Sequence, residues 1–152
     1  MLPTPQKFKL VTGAGEGQTP LSAFDGALLA AGIGNINLIR VTSILPPHAE
    51  EDSELYIPEG SLVPTAYGEF ASSNPGEIIS AAVGIGFSRD SFGVIMEKAG
   101  VQSRKEAEEQ VEIMLRDAFR QRGMTLEHTK VQGVEHEVKE NGAVIAAVAL
   151  WY

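Results

Sequence analysis

The sequence predicts an α+β domain: a four-layer αββα-like sandwich of stacked, mainly antiparallel β-sheets with one helix on each outer face. Three observations lead there. Residues 78–87 (IISAAVGIGF) and 143–152 (AVIAAVALWY) are almost unbroken runs of small and β-branched apolar residues, the pattern of strands buried on both faces. Only two segments, 19–31 and 103–123, carry helical periodicity. No repeat or linker divides the chain, so residues 1–152 are expected to form a single domain with a substantial core.

The elements follow in order. Residues 7–12 (KFKLVT) alternate and predict a strand. The glycine-rich 13–17 stretch reads as a tight turn: it lacks the Lys-Ser/Thr pair of a phosphate loop, and Glu16 opposes an anion. Thr19 is a good N-cap, with Pro20 at the first helical position and Gly32 suited to the far end. Leu21, Phe24, Leu28 and Ala31 form that helix's apolar stripe, and Asp25 projects beside it. Residues 35–45 read as a strand stopped by Pro46-Pro47. If that strand is regular, its period of two places Asn37, Val41 and Ser43 on one face.

Beyond the prolines, residues 48–54 (HAEEDSE) read as a solvated acidic loop without the glycine or spacing of a calcium site. Residues 62–70 contain Pro64 and Gly68 and predict an irregular or edge strand. Residues 73–76 (SNPG) form a turn. Residues 92–96 make a strand that delivers Glu97 at its end. Ser103 and Glu106 form a capping box, followed by Ala107, Val111, Met114, Leu115, Ala118 and Phe119 at spacings of three and four, with Gly123 closing the helix. Residues 126–138 alternate as a polar strand, and Asn141-Gly142 predicts a hairpin into the final strand.

Composition narrows the function. The formal net charge is −8, from 20 acidic and 12 basic residues, which argues against nucleic acid or an anionic membrane as partner. Cysteine is absent, excluding disulfides, thiolate metal sites and a cysteine nucleophile. His128 and His136 make no zinc motif. The first residues lack the basic and apolar regions of a signal peptide, and no apolar run reaches the roughly 18 residues of a membrane span, so a cytoplasmic protein is expected. Three features carry potential chemistry: Thr42-Ser43 at a rigid strand end, Asp25 beside apolar residues, and Glu97 at the end of a buried strand. On residue type alone, Thr42-Ser43 is equally an ordinary strand end and a serine poised to attack its own backbone.

The chain resembles the pyruvoyl-dependent arginine decarboxylases of archaeal type, a family akin to the pyruvoyl histidine decarboxylases. The resemblance runs from about residue 10 to Tyr152. It is carried by GQTPLSAFDGALLAAGIGNINLIRVTSILPP (17–47), LVPTAYG (62–68), PGEIISAA (75–82), GVIMEKAG (93–100), KEAEE (105–109) and AAVALWY (146–152). Thr42-Ser43 stands where many relatives carry Ser-Ser.

That resemblance implies a zymogen that cleaves itself between Thr42 and Ser43, giving residues 1–42 and 43–152, with Ser43 becoming a covalent pyruvoyl cofactor. No metal and no PLP are implied. L-Arginine would form a Schiff base with the pyruvoyl group and leave as agmatine and CO2, a reaction serving polyamine biosynthesis or acid resistance. Glu97 would be the proton donor and Asn37 the hydrogen-bond donor to the reacting carbonyl. Asp25 would hold the guanidinium, with Leu21 and Leu28 against the substrate's methylene stem. A trimer is implied, with stacking of two trimers into a hexamer as the variant, and with sites shared between neighbours. Two rivals stay open: the same chemistry on histidine or lysine, and an unprocessed, non-catalytic trimeric ligand-binding protein.

Overall fold

The computed structural model describes residues 2–152. Eleven elements follow one another: β1 (Lys7–Glu16), α1 (Pro20–Ala30), β2 (Asn37–Arg40), β3 (Ile44–Leu45), β4 (Glu50–Glu51), β5 (Leu62–Ser72), β6 (Ile78–Phe87), β7 (Gly93–Gly100), α2 (Arg104–Arg122), β8 (His128–Glu137) and β9 (Gly142–Trp151). One sheet has the order β2-β5-β9-β1-β4 and the other β3-β7-β6-β8. Apart from the short β1–β4 and β2–β5 contacts, every pairing is antiparallel. The sheets stack face to face, with α1 outside the first and α2 outside the second. The expected αββα sandwich is the observed one.

The two apolar strands occupy the middle because neither has a face that tolerates water. Along β9, Val144, Ala146, Val148 and Leu150 point into the inter-sheet core against Ile79, Ala81, Val83 and Ile85 of β6. The alternate residues Ala143, Ile145 and Ala147 point outward to α1. On the far side, Ala82 of β6 meets Ala107, Val111 and Leu115 of α2. That helix starts at Ser103, whose hydroxyl accepts from the Glu106 N–H, and ends on Gly123 at φ 64°, the left-handed geometry that glycine adopts without penalty. Glu106 returns only part of the expected capping box: its carboxylate accepts from the Ser103 hydroxyl at 3.2 Å.

The 13–17 stretch is not a turn. Gly13 and Gly15 lie inside β1, under α1, where a Cβ would stand 2.2 Å from the Ala27 carbonyl and 2.5 Å from the Ala27 nitrogen respectively. Only hydrogen fits, and the helix backbone rests on the strand. The same approach shifts the predicted stripe of α1, of which Ala31 is buried and Phe24 and Leu28 pack at the margin. Ala23 and Ala27 make the buried contact, while the bulkier Leu21 is 76% exposed, and Phe24 and Leu28 are half-buried. The N-terminus of α1 is as expected, with Thr19 and Ser22 capping each other reciprocally.

Four further expectations change. β7 continues past Glu97 to Gly100, so Glu97 is mid-strand. Pro64 lies where β5 pairs with β2 alone, one residue before pairing with β9 begins, and so costs the central ladder nothing. The 48–54 loop includes β4, which adds two residues to the edge of the first sheet. Asn141-Gly142 makes no hairpin: β8 pairs with β6 and β9 with β1 and β5, in different sheets. A polar strand belongs at an edge and an apolar one at the centre, so β8 and β9 do not pair. Glu16 ties their connection down, accepting from His136 Nε2 at 2.6 Å and from the Glu140 and Lys139 N–H groups at 2.9 and 3.1 Å.

Two stability measurements follow from these contacts. In urea titrations, Gly15→Ala should destabilise the fold by about 2–3 kcal/mol through overpacking. Gly26→Ala, whose Cβ would meet nothing closer than 3.6 Å, should stabilise it by roughly 0.5–1 kcal/mol. Burial raises the Glu16 pKa, but the bonds from His136, Glu140 and Lys139 outweigh it and hold the group at about 2, below its ordinary 4.5. A depressed folded-state value stabilises the fold above pH 4.5 and ceases to do so as the pH falls towards 2. Acid unfolding of Glu16→Gln should lack that component.

Candidate active site

β2 and β3 belong to different sheets, so the chain passes from one to the other in three residues, Val41, Thr42 and Ser43. Stacked sheets lie about 10 Å apart, and three extended residues reach about 10 Å. The crossing therefore has little slack. It is pinned at both ends: the Val41 N–H donates to the Thr65 carbonyl at 3.1 Å on the first sheet, and the Ile95 N–H donates to the Ser43 carbonyl at 2.7 Å on the second. Between the pins, the Thr42 backbone makes no hydrogen bond among the described residues. The expected uninterrupted strand is thus broken at Arg40, and Thr42-Ser43 is a bridge between sheets.

Arg40, Val41, Thr42 and Ser43 line a cleft of about 510 Å³ together with Ile95, Met96 and Glu97 of the adjoining β7. Glu97 fits because β5 presents Gly68 there: a Cβ at that position would lie 3.2 Å from the Glu97 Cβ. The Glu97 carboxyl is half-buried and has no ion-pair partner within 4.0 Å among the described residues. Burial raises its pKa from 4.5 to about 7, against the opposing pull of the Arg40 guanidinium. That guanidinium stacks over the Tyr67 ring, 4.3 Å from its centroid, and its Nη2 donates to the Tyr67 carbonyl. A carboxyl half-protonated near neutrality, lining the same cleft as Ser43, has the protonation balance to give or take a proton there.

The remaining predicted residues lie elsewhere on the protomer. Asp25, Leu21 and Leu28 share a second concavity of about 480 Å³ on the outer face of α1, with Thr19, Ser22 and Phe24. It has no lining residue in common with the Ser43 cleft. Asn37 is exposed, and its amide donates to the Gly60 carbonyl at 3.1 Å. With the strand broken at Arg40, the periodicity that placed Asn37 and Ser43 on one face does not extend to Ser43. The structure thus unites Ser43, Thr42 and Glu97, groups Asp25 with Leu21 and Leu28, and leaves Asn37 apart from both sets.

Arg40 and Tyr67 were missed from the sequence. One signal was there to use: Arg40 is the only Lys, Arg, Asp or Glu between Asp25 and Glu50. Among the described residues no three His, Asp or Glu side chains converge as a metal site would require, and no helix is long and apolar enough to cross a membrane.

Residues 7–152 match the family model described as pyruvoyl-dependent arginine decarboxylase. The chain is similar to a pyruvoyl-dependent arginine decarboxylase of Methanocaldococcus jannaschii, with 51% identity over 150 residues covering 97% of this chain and 91% of the relative. Proteins of the same name from Methanococcus vannielii (45% identity, 97% and 92% covered) and Pyrococcus abyssi (44% identity, 97% and 96% covered) match as fully.

In a carboxyl-selective 13C NMR titration, Glu97 should have its midpoint near pH 7, assigned by its loss in Glu97→Gln. A midpoint at the ordinary carboxylate value would mean that the side chain is solvated.

Proposed function

This chain belongs to the pyruvoyl-dependent arginine decarboxylase family, and we propose that Ser43 and Glu97, which line the same cleft, are the centre of its reaction. The enzyme is a carboxy-lyase that converts L-arginine into agmatine and CO2, with a self-generated pyruvoyl group as its cofactor.

Ser43 Oγ adds to the Thr42 carbonyl carbon, and the Thr42–Ser43 C–N bond breaks, leaving an ester and a free amine at residue 43. Loss of the Ser43 α-proton then breaks the Cβ–Oγ bond and frees residues 1–42 as a carboxylate. Hydrolysis releases ammonia and leaves the keto group. Peptide resonance ordinarily resists the first step. Support for its occurring here comes from the two pins, which fix Val41 and the Ser43 carbonyl on opposite sheets while the intervening peptide stays out of both ladders.

The residues present fit the pyruvoyl group. The Ser43 carbonyl, which becomes the amide carbonyl beside the keto carbon, is already held by the Ile95 N–H. Val41, Ile95 and Met96 give the cleft apolar walls that limit water. Bound there, the group supplies an electrophilic carbonyl conjugated with an amide, a sink for the electrons left when CO2 departs. Glu97, protonated in about half the molecules at neutral pH, delivers the proton to the substrate Cα.

Asp25 binds the guanidinium through two parallel hydrogen bonds, with Leu21 and Leu28 against the methylene stem. Within one protomer its concavity is separate from the Ser43 cleft, so this reading requires a homotrimer in which neighbouring protomers bring the two together. The exposed Leu21 supports that assembly, since such an apolar face is suited to burial against another chain. Asn37, exposed on β2, is assigned to the reacting carbonyl in the same assembly.

Denaturing electrophoresis tests the reading. The wild-type protein should separate into residues 1–42 and 43–152, whereas Ser43→Ala should stay as one band. An uncleaved wild-type chain would favour a ligand-binding protein. Asp25→Ala should still cleave but lose about 100-fold or more in kcat/KM for arginine, as loss of a charged bidentate contact implies. Glu97→Gln should lower kcat by about 10²–10⁴-fold. In the wild type, kcat should fall as pH rises through about 7, because only the protonated carboxyl donates.

A further inference from the structure

The parallel ladder between β2 and β5 has a fixed offset that shows where it ought to go next. The Asn37 N–H donates to the Ser61 carbonyl at 2.8 Å, and the Val41 N–H donates to the Thr65 carbonyl at 3.1 Å. The register Asn37↔Leu62 through Arg40↔Thr65 keeps that spacing throughout. Two residues on, the donor would be Ser43 N–H and the acceptor the Tyr67 carbonyl. That bond is absent, and the Ser43 N–H makes no hydrogen bond among the described residues. The Tyr67 carbonyl instead accepts from Arg40 Nη2, and Arg40 is held in place by stacking on the Tyr67 ring. A side chain from the last residue of β2 occupies the next rung of its own ladder.

We propose that Arg40 is a positioning residue for self-cleavage: by capping the Tyr67 carbonyl it ends the β2–β5 ladder, keeps Ser43 out of the first sheet and leaves the Thr42–Ser43 peptide free to react. This rests on the reading of Thr42-Ser43 given above. A strand edge with an open carbonyl invites the next N–H to pair with it. Without the cap, that N–H is Ser43's. Pairing would draw Ser43 towards the first sheet and away from the Ile95 N–H that holds its carbonyl on the second. The guanidinium suits this task better than a neutral donor, because its planar fork donates in the sheet plane while its face lies on the aromatic ring. The bond that must break is thereby protected from the most ordinary fate of an extended chain beside a sheet edge.

The test uses the full-length chain and two readouts. The first is the rate of self-cleavage, followed by electrophoresis of freshly made protein. Arg40→Met, which keeps the length but cannot donate, should slow cleavage about tenfold or more, the weight of one lost net hydrogen bond. Arg40→Lys, which can still donate, should recover most of the rate. The second readout is hydrogen exchange at the amide of position 43 in an uncleavable Ser43→Ala background. That amide should exchange fast with Arg40 present and become protected when Arg40→Met is added. Equal cleavage rates in wild type and Arg40→Met, or slower cleavage with the position-43 amide still unprotected, would overturn the capping role. A wild-type chain that never cleaves would instead refute the prior reading of Thr42-Ser43. If Arg40→Met does not accumulate as folded protein, exchange in the Ser43→Ala/Arg40→Lys chain decides, since the amide must remain unprotected there.

Discussion

One covalent connection organises this molecule: three residues carry the chain from one β-sheet to the sheet stacked on it. The separation of packed sheets is set by the side chains between them, here the apolar residues of β6 and β9. The core therefore fixes the distance that Val41, Thr42 and Ser43 must cover. It also makes the place where they cross unusual for backbone. A sheet interior satisfies N–H and C=O groups by pairing, and a surface loop satisfies them with water. At the bridge between sheets, exposed Thr42 pairs with neither ladder. Its carbonyl and amide are free for other uses, and a serine there is at once anchored and unpaired.

The electrostatics of the cleft follow from the same geometry. Glu97 is mid-strand beside the apolar β6, and it is accommodated because Gly68 on the opposing sheet has no side chain. Burial raises the pKa of a carboxyl there. The Arg40 cation draws it back towards ionisation, and the balance falls close to neutrality. A group with that balance transfers protons well under ordinary conditions. Arg40 thus enters the site by two routes, as a charge facing Glu97 and as a hydrogen-bond donor at the end of β2.

The two helices serve unlike purposes. α2 closes the second sheet with large side chains, Val111, Leu115 and Phe119, in the usual manner of a helix covering a sheet. α1 instead rests on glycines with alanines, so nearly all of its bulk is turned outward. The close packing that stabilises it is also what presents Leu21, Phe24, Asp25 and Leu28 on an exposed concavity. An acidic group with apolar neighbours on a free surface is an incomplete site by itself. In the proposed function another protomer's cleft lies against it, and for that reason the assembly forms part of the proposal.

Much was legible without coordinates. Continuous apolar runs can only be central strands, the caps at Thr19, Ser103 and Gly123 fix helix ends locally, and the blocks that carry the family resemblance span nearly the whole chain. Those signals are local or compositional, and they suffice for the two helices, the central strands, the layered class and the family. The tertiary structure decided what depends on a neighbour distant in sequence. Gly13 and Gly15 are permissive residues in isolation, and only the approach of Ala27 makes them obligatory. The α1 stripe has the right period, but a helix turns towards its sheet whichever residues fit the gap. Asn141-Gly142 favours a hairpin locally, yet the burial demands of β9 separate it from β8. Most consequential, residues 35–45 have the composition of a single strand, and nothing in them states that Arg40 belongs to one sheet and Ile44 to another. Sheet membership is a property of partners, and the partners of these residues are 25 positions away in β5 for Asn37–Leu62 and 50 away in β7 for Ile44–Val94.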